Sequence, residues 1–357
     1  MFVACTSTGT ERKGTVPVGV YAKADRDTSA ASSSLTVALV GDIMPGTTYP
    51  KERLPEKDGA QLFLDTRNLL QKADIAAGNM EGVIADTGET RKKKAAMNYA
   101  FRIPTRYGRL LSEAGFDFMS MANNHVFDFG MAGVKSTEAV FNANKIAYAG
   151  ITGRRESVIV EHRGVKYGFC AFGHNSYTLK HSDKANVSRI IKKLKREADV
   201  VIVSFHGGAE GTAARHLPQG KEEFLGEDRG NLRSFAHLCI DNGADIVYGH
   251  GPHVARAVEL YKGHFIAYSL GNFCTPLGIN ITGVSGHAPL LILKINEADG
   301  KFESGRIYSF VQKYGVGPRK DLRNSAAKDI SELTKTDIPQ SGLIIAADGT
   351  ITKKTRR

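Results

Sequence analysis

The residues able to do chemistry fall in short polar clusters, each following an apolar run. Gly41-Asp42-Ile43-Met44, Gly78-Asn79-Met80-Glu81, Ala122-Asn123-Asn124-His125 with Asp128, His206 through Glu210, and His250-Gly251-Pro252-His253 occur in that order. Asp, Glu, Asn and three His make an N/O donor set of hard to borderline character, suited to Zn, Mn or Fe, as one divalent ion or a pair. No cysteine joins the set, so an open catalytic centre is the better expectation than a closed structural zinc site. Two ions about 3.5–4 Å apart can clamp the attacking and leaving oxygens of a displacement and acidify a bound water, the chemistry of phosphoester hydrolysis. His125 beside such ions could protonate the leaving group, with Asp128 orienting its ring. In the blander alternative, Asn124, His125 and Asp128 only tie down their own loop.

Clusters so far apart in sequence need elements that carry them to one place. Leu35–Val40, Ile75–Ala77, Phe116–Met121, Val200–Phe205, Asp245–Tyr248 and Phe265–Leu270 are predicted strands. Several are continuously apolar, as strands covered on both faces should be. Helices are predicted at Gln61–Lys72, Arg106–Ala114, Val134–Asn144, Val187–Glu197 and Asn231–Asn242, and this alternation implies a layered α/β fold. A hairpin pairing Ser157–His162 with Lys166–Phe172 around Arg163-Gly164 makes part of the sheet antiparallel, so the sheet is expected to be mixed. Sites in α/β sheets form outside the carboxyl ends of the strands, which would bring all five clusters to one rim. Towards the C-terminus, Leu290–Ile295, Arg306–Gln312 and Leu343–Ala346 read as strands and Asn324–Lys335 as a helix, with an Asp348-Gly349 turn near the end. The division read from this is a flexible N-terminal tether over 1–34, a main domain over 35–297 and a C-terminal extension packed on it over 298–357.

The chain has 357 residues, and 48 Lys+Arg against 37 Asp+Glu leave a formal net charge of +11. The basic runs Lys23–Arg26, Arg91–Lys94, Lys192–Arg196 and Lys353–Arg357 read mainly as solvated faces and tails. No tryptophan occurs, the runs are not interleaved with aromatics, and zinc-finger and ribonucleoprotein spacings are missing, so nucleic acid is not an expected partner. No apolar stretch reaches the 18 or so residues of a membrane-spanning helix. Met1-Phe2-Val3-Ala4-Cys5-Thr6-Ser7 looks like the end of a bacterial lipoprotein signal, which would make Cys5 a lipid anchor and the only membrane contact. A cytoplasmic chain with a disordered tail is the alternative. Cys170, Cys239 and Cys274 sit in apolar contexts and are expected to be buried free thiols.

The ordered motifs resemble the CapA family of capsule, or poly-γ-glutamate, biosynthesis proteins, also known as PgsA, within the calcineurin-like metallophosphoesterases. The likeness runs from Leu35 to Ile295 through the clusters above and Tyr268-Ser269-Leu270-Gly271-Asn272-Phe273. It implies a layered α/β/β/α sandwich, metallophosphoesterase-like, with Asp42, Glu81, Asn124, His206, His250 and His253 as metal ligands and His125 as general acid. Met44 stands where the wider superfamily has a histidine, Asn79 and Glu81 replace a bridging aspartate, and two residues rather than one separate His250 from His253. These departures are shared with the CapA pattern. The implied role is a metal-dependent hydrolase of the bacterial cell envelope, acting with the capsule machinery on an anionic polymer or phosphoester. Asn79, Arg102 and Glu210 are candidate substrate contacts, the Arg102 guanidinium being suited to carboxylate or phosphate, with a structural ion pair as the blander reading of Arg102. The rival expectations are a phosphoesterase on nucleotides or phosphosugars, and a non-catalytic polymer-binding accessory protein.

Overall fold

The strand Ser34–Ile43 shows how the sequence builds the layers. Its residues are almost all buried, yet the pleat sends alternate side chains to opposite faces. Val37 and Leu39 join one apolar cluster together with Tyr167, Phe169, Val200 and Ile202 from other strands. Ala38 and Val40 join a second cluster with Leu70, Leu111, Val134 and Phe141 from helices. One face therefore meets a second sheet and the other meets helices. In the computed structural model, which describes residues 19–23, 34–90, 92 and 99–354, the same division holds across the whole sheet.

Among the described residues that sheet has ten strands, with Ser34–Ile43, Ile75–Met80, Phe118–Ser120 and Ala147–Ala149 adjacent and parallel on one side. His287–Asn296 pairs antiparallel with the other edge of Ser34–Ile43, and Phe302–Lys313 pairs antiparallel with His287–Asn296. Among the described residues the second sheet has seven strands, and in it Val165–Phe172, Val200–His206 and Ile246–His250 run parallel. Helices α1 (Arg67–Lys72), α2 (Gly108–Ala114) and α3 (Gly130–Ala143) cover the first sheet, whereas α4 (Lys184–Glu197) and α5 (Leu232–Asp241) cover the second. The architecture is the α/β/β/α sandwich that the family resemblance implied, with the mixed sheets expected from the apolar runs and their hairpin. A last helix, α6 (Ser325–Asp337), packs along Phe302–Lys313 at one side of the sandwich.

Helix α4 buries Val187, Ile190, Ile191 and Leu194 and leaves Lys192 and Arg196 exposed as expected, but Lys195 of the same run pairs with the buried Asp245 at 2.7 Å. Each such apolar side chain is worth about 1.5–3 kcal/mol when taken out of water, so the apolar stripe seats the helix and the lysines follow. The Ser157–His162 and Val165–Phe172 strands form the expected antiparallel hairpin, with Arg163 and Gly164 both at positive φ in the turn. The helix expected from Gln61 begins only at Arg67, and residues 60–66 are turns. The Thr66 hydroxyl donates to the Phe63 carbonyl there, the local competition that keeps such residues out of helix interiors.

The segment read as a tether contains structure. Gly19–Ala22 is a strand pairing in parallel with Ser157–His162. The Tyr21 hydroxyl donates to Asn142 and accepts from Arg155. Lys23, counted among the solvated charges, instead donates to the Ala73 and Asp74 carbonyls and to Asp117 at 2.7–3.0 Å, in a nearly buried position. Cys5 lies outside the described residues. Cys170, Cys239 and Cys274 are buried and free, their thiols pushed upward in pKa by burial. Among the described residues no helix is long and apolar enough to cross a membrane.

Candidate active site

The carboxyl ends of the parallel strands of both sheets meet at one rim. Asp42 stands opposite Asn79 in the first sheet and His206 opposite His250 in the second. Gly41 makes the first position achievable: a Cβ there would lie 1.9 Å from the Gly271 carbonyl oxygen. Glycine lets the Asn272–Cys274 strand close on Ser34–Ile43, and the Asp42 amide donates to that same oxygen. His253 adopts a left-handed backbone with φ 57°, uncommon outside glycine and tolerated best by Asn, Asp and His. The turn aims its Nδ1 at Asp42 Oδ2, 3.2 Å away, and at Asn272 Oδ1, 3.0 Å away.

The two sheets touch through their ionisable groups. His250 Nδ1 lies 3.3 Å from Asp42 Oδ1, and His206 Nε2 lies 3.3 Å from Glu81 Oε1. Asn79 ties the two carboxylates together, its Nδ2 donating to Asp42 Oδ1 at 2.9 Å and to Glu81 Oε2 at 2.6 Å, while its Oδ1 accepts from Asn123. Asp42, Asn79, Glu81, His206 and His250 are completely buried. Burial is the largest influence on Asp42 and pulls its pKa upward, yet the adjoining His250 and His253 rings hold the carboxyl well below the usual range. Burial, then the Asp42 charge, pushes Glu81 up to about 7. Burial alone would lower His253, but the adjacent Asp42 carboxylate outweighs it and raises the ring to about 9. His206, desolvated, falls to about 3 and is neutral.

His125 sits beside this cluster. Its Nδ1 is 2.9 Å from Asp128 Oδ2, its Nε2 is 4.0 Å from Glu81 Oε1, and Phe101 packs against its ring. Asp128 Oδ2 also accepts from the Phe101 amide. Asn124 lies in the same loop, and its carbonyl oxygen accepts from the Tyr177 hydroxyl. Glu210 reaches the rim, with Oε2 3.9 Å from His253 Nε2 and Oε1 2.8 Å from Arg229 Nη1. Asp42, Asn79, Glu81, Asn124, His125, Asp128, His206, Glu210, His250 and His253 thus gather in one place. Arg102 does not join them through any described contact: its guanidinium donates to Thr48 and to the Gly88 carbonyl, between the Tyr49 and Phe129 rings. Met44 is fully buried in the apolar cluster beneath the helices.

Several residues at this rim escaped the sequence reading. His174, just beyond the Val165–Phe172 strand, stacks on His206 with ring centroids 5.9 Å apart and lies 3.3 Å from Glu227. Burial, then the neighbouring His206, lowers its pKa far below the ordinary imidazole value. The rule that found the other clusters, polar residues after an apolar strand, applies equally to Gly173-His174-Asn175. Asn272, whose Nδ2 donates to the His253 carbonyl, stands in a motif already quoted. Arg229, nearly buried between Glu210 and Glu227, carries no signal in the sequence.

Asp42 Oδ2, Glu81 Oε1, Asn124 Oδ1 and both ring nitrogens of His206 and His250 are buried without a well-aligned hydrogen bond. Unpaired buried polar atoms cost about 1–3 kcal/mol each, and native structures leave few of them. Among the described residues no three His, Cys, Asp or Glu side chains already stand around a common point that would hold an ion; the histidines lean on the carboxylates instead. By donor chemistry and unmet valence the set fits a divalent cation.

Comparison with known proteins agrees in the same region. The family model of the bacterial capsule synthesis protein PGA_cap matches residues 36–276. The capsule biosynthesis protein CapA of Bacillus anthracis is 28% identical over 260 residues, covering 68% of this chain and 60% of its own. The PGA biosynthesis protein CapA of Bacillus subtilis (strain 168) is 28% identical over 256 residues, covering 67% of this chain and 63% of its own. The matched region thus spans less than two thirds of the length of these curated relatives. Among solved structures, a phosphatase of Mycoplasma pneumoniae superposes with a TM-score of 0.49 at 16% identity, covering 82% of this chain and 96% of that one. Because the family match takes in every cluster at the rim and more than half of the sequence, the chain belongs to the bacterial capsule synthesis protein family PGA_cap.

Proposed function

We propose that this protein is a metal-dependent hydrolase of the bacterial cell envelope that serves capsule synthesis by acting on an anionic polymer such as poly-γ-glutamate, or on a phosphoester. The observation that carries the reading is the buried set of unsatisfied donors where the two sheets meet, beside the His125–Asp128 pair. Asp42, Glu81, Asn124, His206, His250 and His253 would hold one or two ions, which when bound supply Lewis-acid polarisation and an acidified water. Asn79 fixes the Asp42 and Glu81 carboxylates. His125, held by Asp128 through Nδ1, keeps Nε2 turned toward the cluster, where it can give a proton to a leaving oxygen. Glu210 and Arg229 border the rim where an extended substrate would lie. Met44, sunk in the core, offers no donor, which weighs against a phosphoesterase of the usual ligand pattern. The Bacillus relatives are named for capsule and PGA biosynthesis, and the polymer assignment is carried over from them. Envelope attachment would run through Cys5.

The test is metal content of the purified chain, before and after adding Mn or Zn, with hydrolysis assays on a model phosphodiester and on γ-glutamyl polymer. Uptake of metal together with cleavage of either substrate is expected. His125→Ala should lower kcat by about 10²–10⁴-fold, and His206→Ala and His250→Ala should lose both metal and activity while keeping the native circular dichroism. A chain that takes up neither metal would overturn the hydrolase reading and leave a polymer-binding accessory role.

A further inference from the structure

The basic run Arg91–Lys94 reads in the sequence as solvated charge, but Lys92 leaves that pattern. Its Nζ lies 2.5 Å from Asp128 Oδ1, 2.9 Å from the Tyr99 carbonyl oxygen, 3.3 Å from the Asn124 carbonyl oxygen and 3.3 Å from His125 Nδ1. The Asp128 side chain is wholly buried while that of Lys92 is 30% exposed. The carboxylate has two oxygens to satisfy. Oδ2 faces the Phe101 amide at 2.8 Å and His125 Nδ1 at 2.9 Å, and Oδ1 faces the lysine.

We infer that Lys92 is a positioning residue for the candidate general acid: by taking Asp128 Oδ1 it leaves Oδ2 to receive the His125 Nδ1 proton. Nδ1 cannot donate to Asp128 and accept from Lys92 at once. Of the two contacts, the one to the carboxylate is shorter and charge-assisted, so the ring proton sits on Nδ1. That tautomer leaves Nε2 as the nitrogen that meets the cluster. Oδ1 has no aligned hydrogen bond and is held by the Lys92 charge, so without the ammonium the buried carboxylate would lose its counter-charge. The carboxylate would then rotate toward whatever donor it can reach, and the hold on Nδ1–H would loosen. Groups that orient an active side chain from behind typically change activity by about 10–100-fold when removed.

The inference rests on His125 acting as the acid, so its test is split. The full chain, free of paramagnetic metal, is examined by long-range ¹H–¹⁵N correlation of its imidazoles, with His125 assigned by its loss in His125→Gln. The native protein and Lys92→Arg should show His125 protonated at Nδ1. Lys92→Met should show a mixture with the Nε2–H form and, where hydrolysis is detected, a kcat about tenfold lower with KM unchanged. Lys92→Gln, similar in length and uncharged, is read in the same way should the methionine variant not fold. A native ring protonated at Nε2, or a Lys92→Met ring with native nitrogen shifts, overturns the positioning role whether or not any substrate is cleaved. If the shifts move as expected and no substrate is cleaved, the positioning holds and the hydrolase reading alone fails.

Discussion

Arg256 offers a measurement of how the rim is held, independent of any metal. It is completely buried, and its guanidinium donates to Glu222 Oε1 and Oε2 at 2.8 Å each, to the Ala214 carbonyl at 2.9 Å and to the Ala209 carbonyl at 3.3 Å. Glu222 returns the hold by accepting from the Ala209 amide at 2.9 Å. One ion pair therefore pins the segment that carries Glu210 onto the end of the second sheet. Arg256→Ala leaves the buried Glu222 carboxylate with a single donor and two carbonyls without their arginine partners. Breaking a buried pair from one side costs about 3–5 kcal/mol, a large part of the roughly 5–15 kcal/mol that keeps a protein folded. Urea unfolding should show that loss. The double variant Arg256→Met with Glu222→Gln should recover most of it, because the stranded charge is gone while an acceptor for Ala209 remains. A single-variant loss below about 1 kcal/mol, the range of exposed pairs, would refute the reasoning, and so would a double variant no more stable than Arg256→Ala.

Two further outcomes follow from the rim itself. Because His253 is raised from 6.5 to about 9, its contribution is fully present below pH 6.5 and is lost as pH rises through 9; metal-free protein should thus lose stability between pH 7 and 9. Below 6.5 the neutral buried His206 acts in the opposite sense, since its lowered pKa gives stability that fades as pH falls toward 3. His253→Asn should flatten the upper limb of urea midpoint against pH, and a native profile already flat there would contradict the assignment. Metal needs deprotonated donors, so added Zn should raise the midpoint more at pH 8 than at pH 6, and an equal rise at both would argue that Glu81 and His253 are not among the ligands. Gly41→Ala should prevent the Asn272–Cys274 strand from closing on Ser34–Ile43, because the new methyl would meet the Gly271 oxygen at 1.9 Å. Loss of soluble folded protein is expected, and a variant with native stability and metal uptake would show that the strand ends can part without harm.

The layers and the rim were legible because both depend on local chemistry. Continuous apolar runs such as Val200–Phe205 mark strands covered on both faces, and the polar residues that follow them mark where those faces end. The apolar spacing of Val187, Ile190, Ile191 and Leu194 likewise fixed the buried stripe of α4 and left Lys192 and Arg196 exposed. Arg102 shows the limit of that approach. A guanidinium near a cluster suggests an anion contact, but only the folded loop reveals Thr48 and Gly88 as its partners. His174 was readable by the same strand-end rule, since Gly173-His174-Asn175 directly follows the Val165–Phe172 strand.

Charge was the least legible property, and the reason is physical. Whether a lysine is solvated depends on a carboxylate brought near by the fold, often from far along the chain. Lys23 meets Asp117, 94 positions away, and Arg256 meets Glu222, 34 away. Lys92 meets Asp128 across the loop beside His125. In each case a carboxylate buried for other reasons needs a counter-charge: Asp117 also accepts from the Ala76 amide, and Asp128 from the Phe101 amide. An unpaired buried carboxylate is the costly state, so the fold draws a cation from whatever segment can reach. Each such pair removes one positive and one negative charge together, so the net +11 stands, while these particular basic residues are not on offer to an anionic polymer. If the surplus nevertheless steers polymer to the rim, association with polyglutamate should weaken steeply as salt rises from low to physiological strength. Binding indifferent to salt would mean that the polymer is held by the rim's own donors rather than by the net charge.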